Sequence, residues 1–286
     1  MRRLACIALA AASCIASPAL AQSAPPSAEL PKPEELSNRD MLTVAVGVGY
    51  TPDYEGSDDY RIIPAAAIRG QVSGINFSTE GTYLYVDVFP KTSSNYDFLI
   101  GPVVGARLNR TRKIDDDIVR LLPEKKTAIE LGGYAGVSFS GLTNPYDSLA
   151  VKVAAVHDVA DAHQSTVIMP EVSFSTPLSR RTYASLSLGG EWVTNKFADY
   201  YFSVMPADSL LTGGALPVFD ADGGMKNWKA GLMVNQSITG DLLGGFSLFG
   251  MANYSRLMGD FKRSPLVSQR GSASQWLLAT GVAYTW

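Results

Sequence analysis

The sequence predicts an all-β fold, a transmembrane antiparallel β-barrel of about twelve strands preceded by a cleaved signal peptide. Three observations carry that prediction. The first residues have the layout of an export signal. From Met41 onward the chain alternates with period two, and the connections between alternating segments are short and long by turns.

Arg2 and Arg3 form a basic n-region, residues 4–16 a short apolar stretch, and Ala19-Leu20-Ala21 a small-x-small site. That order marks a signal peptide over 1–21 with cleavage after Ala21. The apolar stretch falls short of the roughly 20 residues a transmembrane helix needs. A lipoprotein site at Ala12-Ser13-Cys14 fits less well, because Ala11 stands where a large aliphatic residue is usual. Both cysteines, Cys6 and Cys14, lie inside the signal. The mature chain is therefore expected to contain no disulfide and no thiolate ligand or nucleophile. Without Arg2 and Arg3, 22 basic residues face 27 acidic ones, a net charge of −5. A mildly acidic exported chain without a basic patch gives no footing for nucleic acid. Residues 22–40, with Pro25, Pro26, Pro31 and Pro33, form a flexible periplasmic leader, and residues 41–286 suit one barrel domain.

Strands are expected at 41–50, 61–69, 72–79, 83–89, 96–109, 127–140, 148–158, 166–178, 181–194, 226–238, 242–256 and 273–286. In the last, Trp276, Leu278, Thr280, Val282, Tyr284 and Trp286 share one face, opposite Gln275, Ala279, Gly281 and Thr285. Trp228, Ala230, Leu232 and Val234 behave alike, as do Ala184, Leu186, Leu188 and Trp192. The opposite faces carry Glu, Lys, Arg, Asn, Ser and Gly. That suits a polar lumen inside an apolar wall better than the core of a soluble sandwich. Lipid cannot satisfy an open sheet edge, so such a sheet must close. Tyr50, Tyr96, Tyr183, Trp192, Trp228, Tyr254, Trp276 and Trp286 fall at segment ends, where an interfacial girdle needs them. With the N-terminus periplasmic, the turns 70–71, 90–95, 141–147, 179–180 and 239–241 are short, and the outer connections 51–60, 110–126, 195–225 and 257–272 are long. The hairpin 72–89 has a tight outer turn, Glu80-Gly81-Thr82; if it lies outside the wall, ten strands remain. Gly281, Tyr284 and Trp286 resemble the C-terminal signal recognised by the barrel assembly machinery.

The most distinctive run is Gly47-Val48-Gly49-Tyr50-Thr51-Pro52-Asp53-Tyr54-Glu55-Gly56-Ser57-Asp58-Asp59-Tyr60-Arg61, a strand end, an acidic turn and a strand start. It resembles the first hairpin of the MipA/OmpV family of outer-membrane proteins, and Ala198-Asp199-Tyr200-Tyr201-Phe202-Ser203-Val204 resembles a later family segment. The resemblance implies a Gram-negative outer-membrane location and a scaffolding role between a murein lytic transglycosylase and a murein-synthesising penicillin-binding protein. Narrow channel and surface adhesin or antigen are the competing classes.

Other constellations are less specific. His157, Asp158, Asp161 and His163 could hold a divalent metal, but their spacing fits a polar outer turn better. His157 with Ser165 or Ser175 has the residue types of a lipid hydrolase without its signature, so no enzyme, cofactor or metal is expected. Asp53, Glu55, Asp58 and Asp59, with Asp115, Asp116 and Asp117, suit solvated loops better than calcium sites. Arg107, Arg110, Arg112 and Lys113 suit contact with lipopolysaccharide phosphates at the outer lipid surface. Arg107, Glu130, Lys152, Glu171, Arg181, Glu191 and Lys229 are expected to face the lumen, where pairing across a plug is favoured over lining a pore.

Overall fold

The computed structural model describes residues 39–89 and 95–286. The segments expected to be a signal peptide and, but for its last two residues, a leader, together with most of the turn expected at 90–95, lie outside the described residues. Twelve antiparallel strands close into a barrel in which each pairs with its sequence neighbours and the first pairs with the last. They are β1 (Met41–Pro52), β2 (Tyr60–Val72), β3 (Ile75–Glu80), β4 (Tyr83–Asp87), β5 (Tyr96–Arg107) and β6 (Ala128–Ser140), then β7 (Ser148–Asp158), β8 (Thr166–Pro177), β9 (Thr182–Val193), β10 (Gly224–Ser237), β11 (Gly245–Leu257) and β12 (Ser274–Thr285). The 72–89 hairpin belongs to the wall, so the count is twelve and the ten-strand alternative falls.

Burial is inverted relative to a water-soluble sheet. Val46 and Val48 are 54% and 52% exposed and Leu188 is 59%, whereas Glu130 and Lys226 are fully buried. Apolar side chains point outward because the surrounding phase is hydrocarbon, and the polar ones turn to the lumen. Aromatic clusters mark both rims of the wall. Tyr50 stacks on Tyr60 at 4.9 Å, and Tyr254 touches both Trp228 and Trp276 at the long-loop end. Phe246, Tyr284 and Trp286 form a chain at the short-turn end. Tyr183, expected in this girdle, instead meets Arg69 of β2, its ring centroid 5.7 Å from the guanidinium carbon. Those two strands are on opposite sides of the ring, so this contact spans the lumen.

Local corrections have plain causes. The β2–β3 turn is Ser73-Gly74 rather than 70–71, with φ of 52° and 82°, the left-handed pair a tight hairpin needs. Gly70 lies within β2 instead, where a Cβ would come within 2.6 Å of the Met41 carbonyl oxygen. On the far side of β2, pairing with β3 begins only at Arg69, so the outer half of that edge carries no second strand. Pro64 stands there, lacking the N–H that an open edge would leave unpaired.

The long connections fold into a cap with helices that no periodicity in the sequence announced. These are α1 (Asn195–Phe202), α2 (Pro206–Leu211), α3 (Gly259–Arg263), α4 (Pro265–Ser268) and a 3₁₀ turn at Val119–Leu121. Tyr54, Ile114, Val119, Val204, Leu216 and Leu266 form one buried cluster in the cap. Phe197, Ala198, Tyr201 and Phe202 of α1 pack against inward residues of the wall, among them Val103, Val156, Val167 and Val193. Part of the lumen lining beneath the cap is therefore apolar, where the sequence pattern predicts small and polar side chains.

Candidate functional site

The charges expected in the lumen separate into two groups and one outlier. Beneath α1, Arg107 donates from Nε to Glu130 at 2.8 Å and from Nη1 to Glu191 at 3.3 Å. Tyr83 donates to Glu130 at 2.5 Å, and the ring of His163 places Nε2 2.9 Å from the same carboxylate. Lys229 stands 3.8 Å from Glu191. Nearer the middle of the wall, Lys152 pairs with Glu171 at 3.4 Å and with Glu80. Arg181 joins neither group, since it lies exposed on the turn before β9.

The hub of the upper group is Lys226, which sequence reasoning missed. Its ammonium is 2.7 Å from Glu191 and 2.5 Å from Glu55, and it lies 5.1 Å from the centre of the Phe197 ring. Period two counted back from Trp228 puts Lys226 on the lipid face. The register between β9 and β10 slips between Met225 and Asn227, and this bulge turns both Lys226 and Asn227 inward. Charges so far from water persist only when paired and hydrogen-bonded, and each member of this set has a partner of opposite charge.

The distinctive 52–60 segment is the keystone of the cap rather than a solvated turn. Asp53 pairs with Arg61 at 2.9 Å and accepts the Asp115 N–H at 2.8 Å. Buried Tyr54 directs its hydroxyl at the Leu266 and Arg270 carbonyl oxygens, 2.9 and 3.1 Å away. Glu55 reaches down to Lys226, and its N–H donates to Asn109 at 3.0 Å. Gly56 has φ of 102°, and a Cβ there would come within 2.5 Å of Val267, so only glycine fits. Its N–H donates to Gln275, whose amide donates in turn to the Ser57 carbonyl. Ser57 bridges Gly271, Asp59 donates its N–H to the Ser57 hydroxyl, and Pro52 pairs with Tyr60. Tyr60 also accepts the Trp276 N–H, and Asp58 is exposed.

Asp116 is likewise structural. Arg270 grips it through Nε and Nη2 at 3.0 and 2.7 Å, while it accepts the Val119 and Ile118 N–H groups. Burial pushes its pKa up, but these bonds outweigh that and hold it below the usual carboxylate range. The expected picture of solvated acidic loops therefore fails for Asp53 and Asp116, both buried and paired.

His157 shares a hydrogen bond with Thr166 at 3.0 Å, and Ser165 bonds Thr194, so the serine–histidine constellation is not assembled. His163 is committed to Glu130, and among the described residues no group of three or more His, Cys, Asp or Glu is placed to hold a metal. Gly281 pairs with Gly47 across the β1–β12 seam, Tyr284 belongs to the lower aromatic chain, and the N–H of Trp286 donates to the Leu42 carbonyl.

The arrangement is a barrel whose long-loop end is filled by paired charges and roofed by aromatic side chains. Among solved structures, the outer membrane channel DcaP of Acinetobacter baumannii is similar at 8% identity over 87% of this chain and 96% of that one, with a TM-score of 0.38. OmpT of Vibrio cholerae gives 8% over 86% and 97%, with a TM-score of 0.34. The toluene transporter TbuX of Ralstonia pickettii gives 9% over 86% and 88%, with a TM-score of 0.31. Comparison with curated proteins gives no match. A family model described as "MltA-interacting protein MipA" matches residues 44–286, nearly the whole barrel. This outer-membrane barrel belongs to the MipA family.

Proposed function

We propose that this protein is a non-catalytic, non-conducting platform in the Gram-negative outer membrane that holds murein-hydrolysing and murein-synthesising enzymes at its periplasmic end. The observation that carries this reading is the filled lumen. Arg107, Glu130, Glu191 and Lys226 interlock across it, and Phe197 and Tyr201 lie above them fully buried. A barrel closed in this way acts through its surfaces. The family description names an interaction with MltA, and a murein lytic transglycosylase is the partner class it suggests. The short turns offer little area, and a stable interface buries about 800 Å² per partner. The leader, residues 22–40, therefore supplies much of the contact.

The test is retention of periplasmic proteins on the refolded, detergent-solubilised barrel with and without residues 22–40. Specific capture of a lytic transglycosylase or penicillin-binding protein, lost on trimming, is expected. Capture of neither by a barrel shown to be folded would sink the platform reading and leave a channel or an adhesin.

A further inference from the structure

We propose that the cavity within the β5–β6 loop is a binding site for a phosphate-bearing anion. This cavity of ≈ 50 Å³ is lined by Arg110, Arg112, Lys113 and Arg120, with Glu124 its one carboxylate and Ile114 among its apolar lining. Arg110 is the critical residue. It is 5% exposed, its backbone is left-handed at φ 53°, and Nη2 donates to the Tyr201 carbonyl at 2.8 Å. Among the described residues no carboxylate lies within ion-pair distance of it, and Asp208 attracts it only from farther away.

Three of the nearby acids are otherwise engaged, Asp116 with Arg270, Asp117 with Arg120 at 2.7 Å and Asp53 with Arg61, while Asp115 and Glu124 are exposed to solvent. Arg112 and Lys113 are exposed at the same cavity, and among the described residues no carboxylate lies within ion-pair distance of either. A second observation points the same way. Lys125, whose N–H bonds the Arg110 carbonyl at 2.7 Å, has its pKa pushed down to about 8, by burial first and by the Arg110 charge next. Burying a cation without a counter-ion is costly. Here several cations converge on a space that fits one small oxyanion, and guanidinium forks match phosphate oxygens two at a time. The volume admits the phosphate group and leaves whatever carries it outside.

Inorganic phosphate and a headgroup phosphate of an outer-leaflet lipid share this chemistry, so both serve as probes. The full chain in detergent at low ionic strength is titrated with inorganic phosphate, with chloride at matched ionic strength as control, and separately with lipid A in mixed micelles. Phosphate is expected to raise the Lys125 pKa above about 8, because an anion beside Arg110 offsets the repulsion. R112A/K113A removes only exposed side chains and is expected to weaken binding about tenfold, equivalent to about 1.4 kcal/mol. R110Q is expected to abolish it, with heat-shifted gel mobility reporting whether that variant still folds. Saturation by phosphate alone assigns the site to free phosphate, and tight, variant-sensitive lipid A binding assigns it to the headgroup. If neither probe moves Lys125 more than chloride does, or R112A/K113A binds as the parent does, the site is refuted.

Discussion

Lys226 connects three parts of the molecule. It ties Glu191 of β9 to Glu55 of the first outer turn, beneath Phe197 of α1. Removing one partner from a buried ion pair leaves an uncompensated charge and typically costs about 3–5 kcal/mol. K226A is therefore expected to lower unfolding stability by that order in a denaturant titration. It should also produce unitary conductance in a planar bilayer where the parent shows none, because the lock on the filled lumen is gone. Asp147 offers a gentler test in a short turn. Burial pushes its carboxyl up. Bonds from the Thr143 hydroxyl and the Thr143, Leu142 and Asn144 N–H groups overcome this and bring it to about 2. The folded pKa lies below the unfolded value, so the turn is stabilised above the unfolded pKa and loses that support as pH falls through about 2. Amide shifts of Thr143 and Asn144 should titrate together there, and D147N should remove the transition.

At the scale of the element, the seam between β1 and β12 and the hairpin β3–β4 govern closure. Gly47 and Gly281 face each other in the seam, and a Cβ on either would come within 2.2 Å of a backbone oxygen of the partner strand. Gly281→Val should prevent closure and abolish heat-shifted gel mobility even on refolding in detergent, where no assembly machinery acts. Normal refolding of that variant with failure only in cells would instead give Gly281 a role in the assembly signal. The open edge of β2 is protected by Pro64. Pro64→Thr restores a free N–H, and increased self-association by crosslinking in detergent is the expected result.

At the scale of the whole molecule, the barrel divides into a capped end and an end of short turns. The capped end is held by contacts between distant parts of the chain, such as Tyr54 with Leu266 and Asp116 with Arg270. If the platform reading is right, deleting residues 206–216, which form part of the cap, should leave capture of murein enzymes unchanged while trimming residues 22–40 should remove it. The reverse result in the same pull-down would move the interaction to the outer face and favour an adhesin.

The number of strands, their outward faces and the alternation of short and long connections were all legible in the chain. Each is a local property: the pleat repeats every two residues, so the sign of a strand's lipid face is written in any six or eight of them. The pairing of Lys152 with Glu171 and of Arg107 with Glu130 follows from that same alternation plus register. What only the tertiary structure decided is everything that breaks the period or depends on distant loops. A single extra residue in β10 reverses the side on which Lys226 lies, and no pattern along the strand records it. The cap turns an apparently solvated acidic motif into a buried keystone, because its partners at Asn109, Lys226, Leu266 and Gln275 are brought to it only when the barrel closes. Local sterics set the wall, whereas long-range packing of the loops decides whether its lumen stays open.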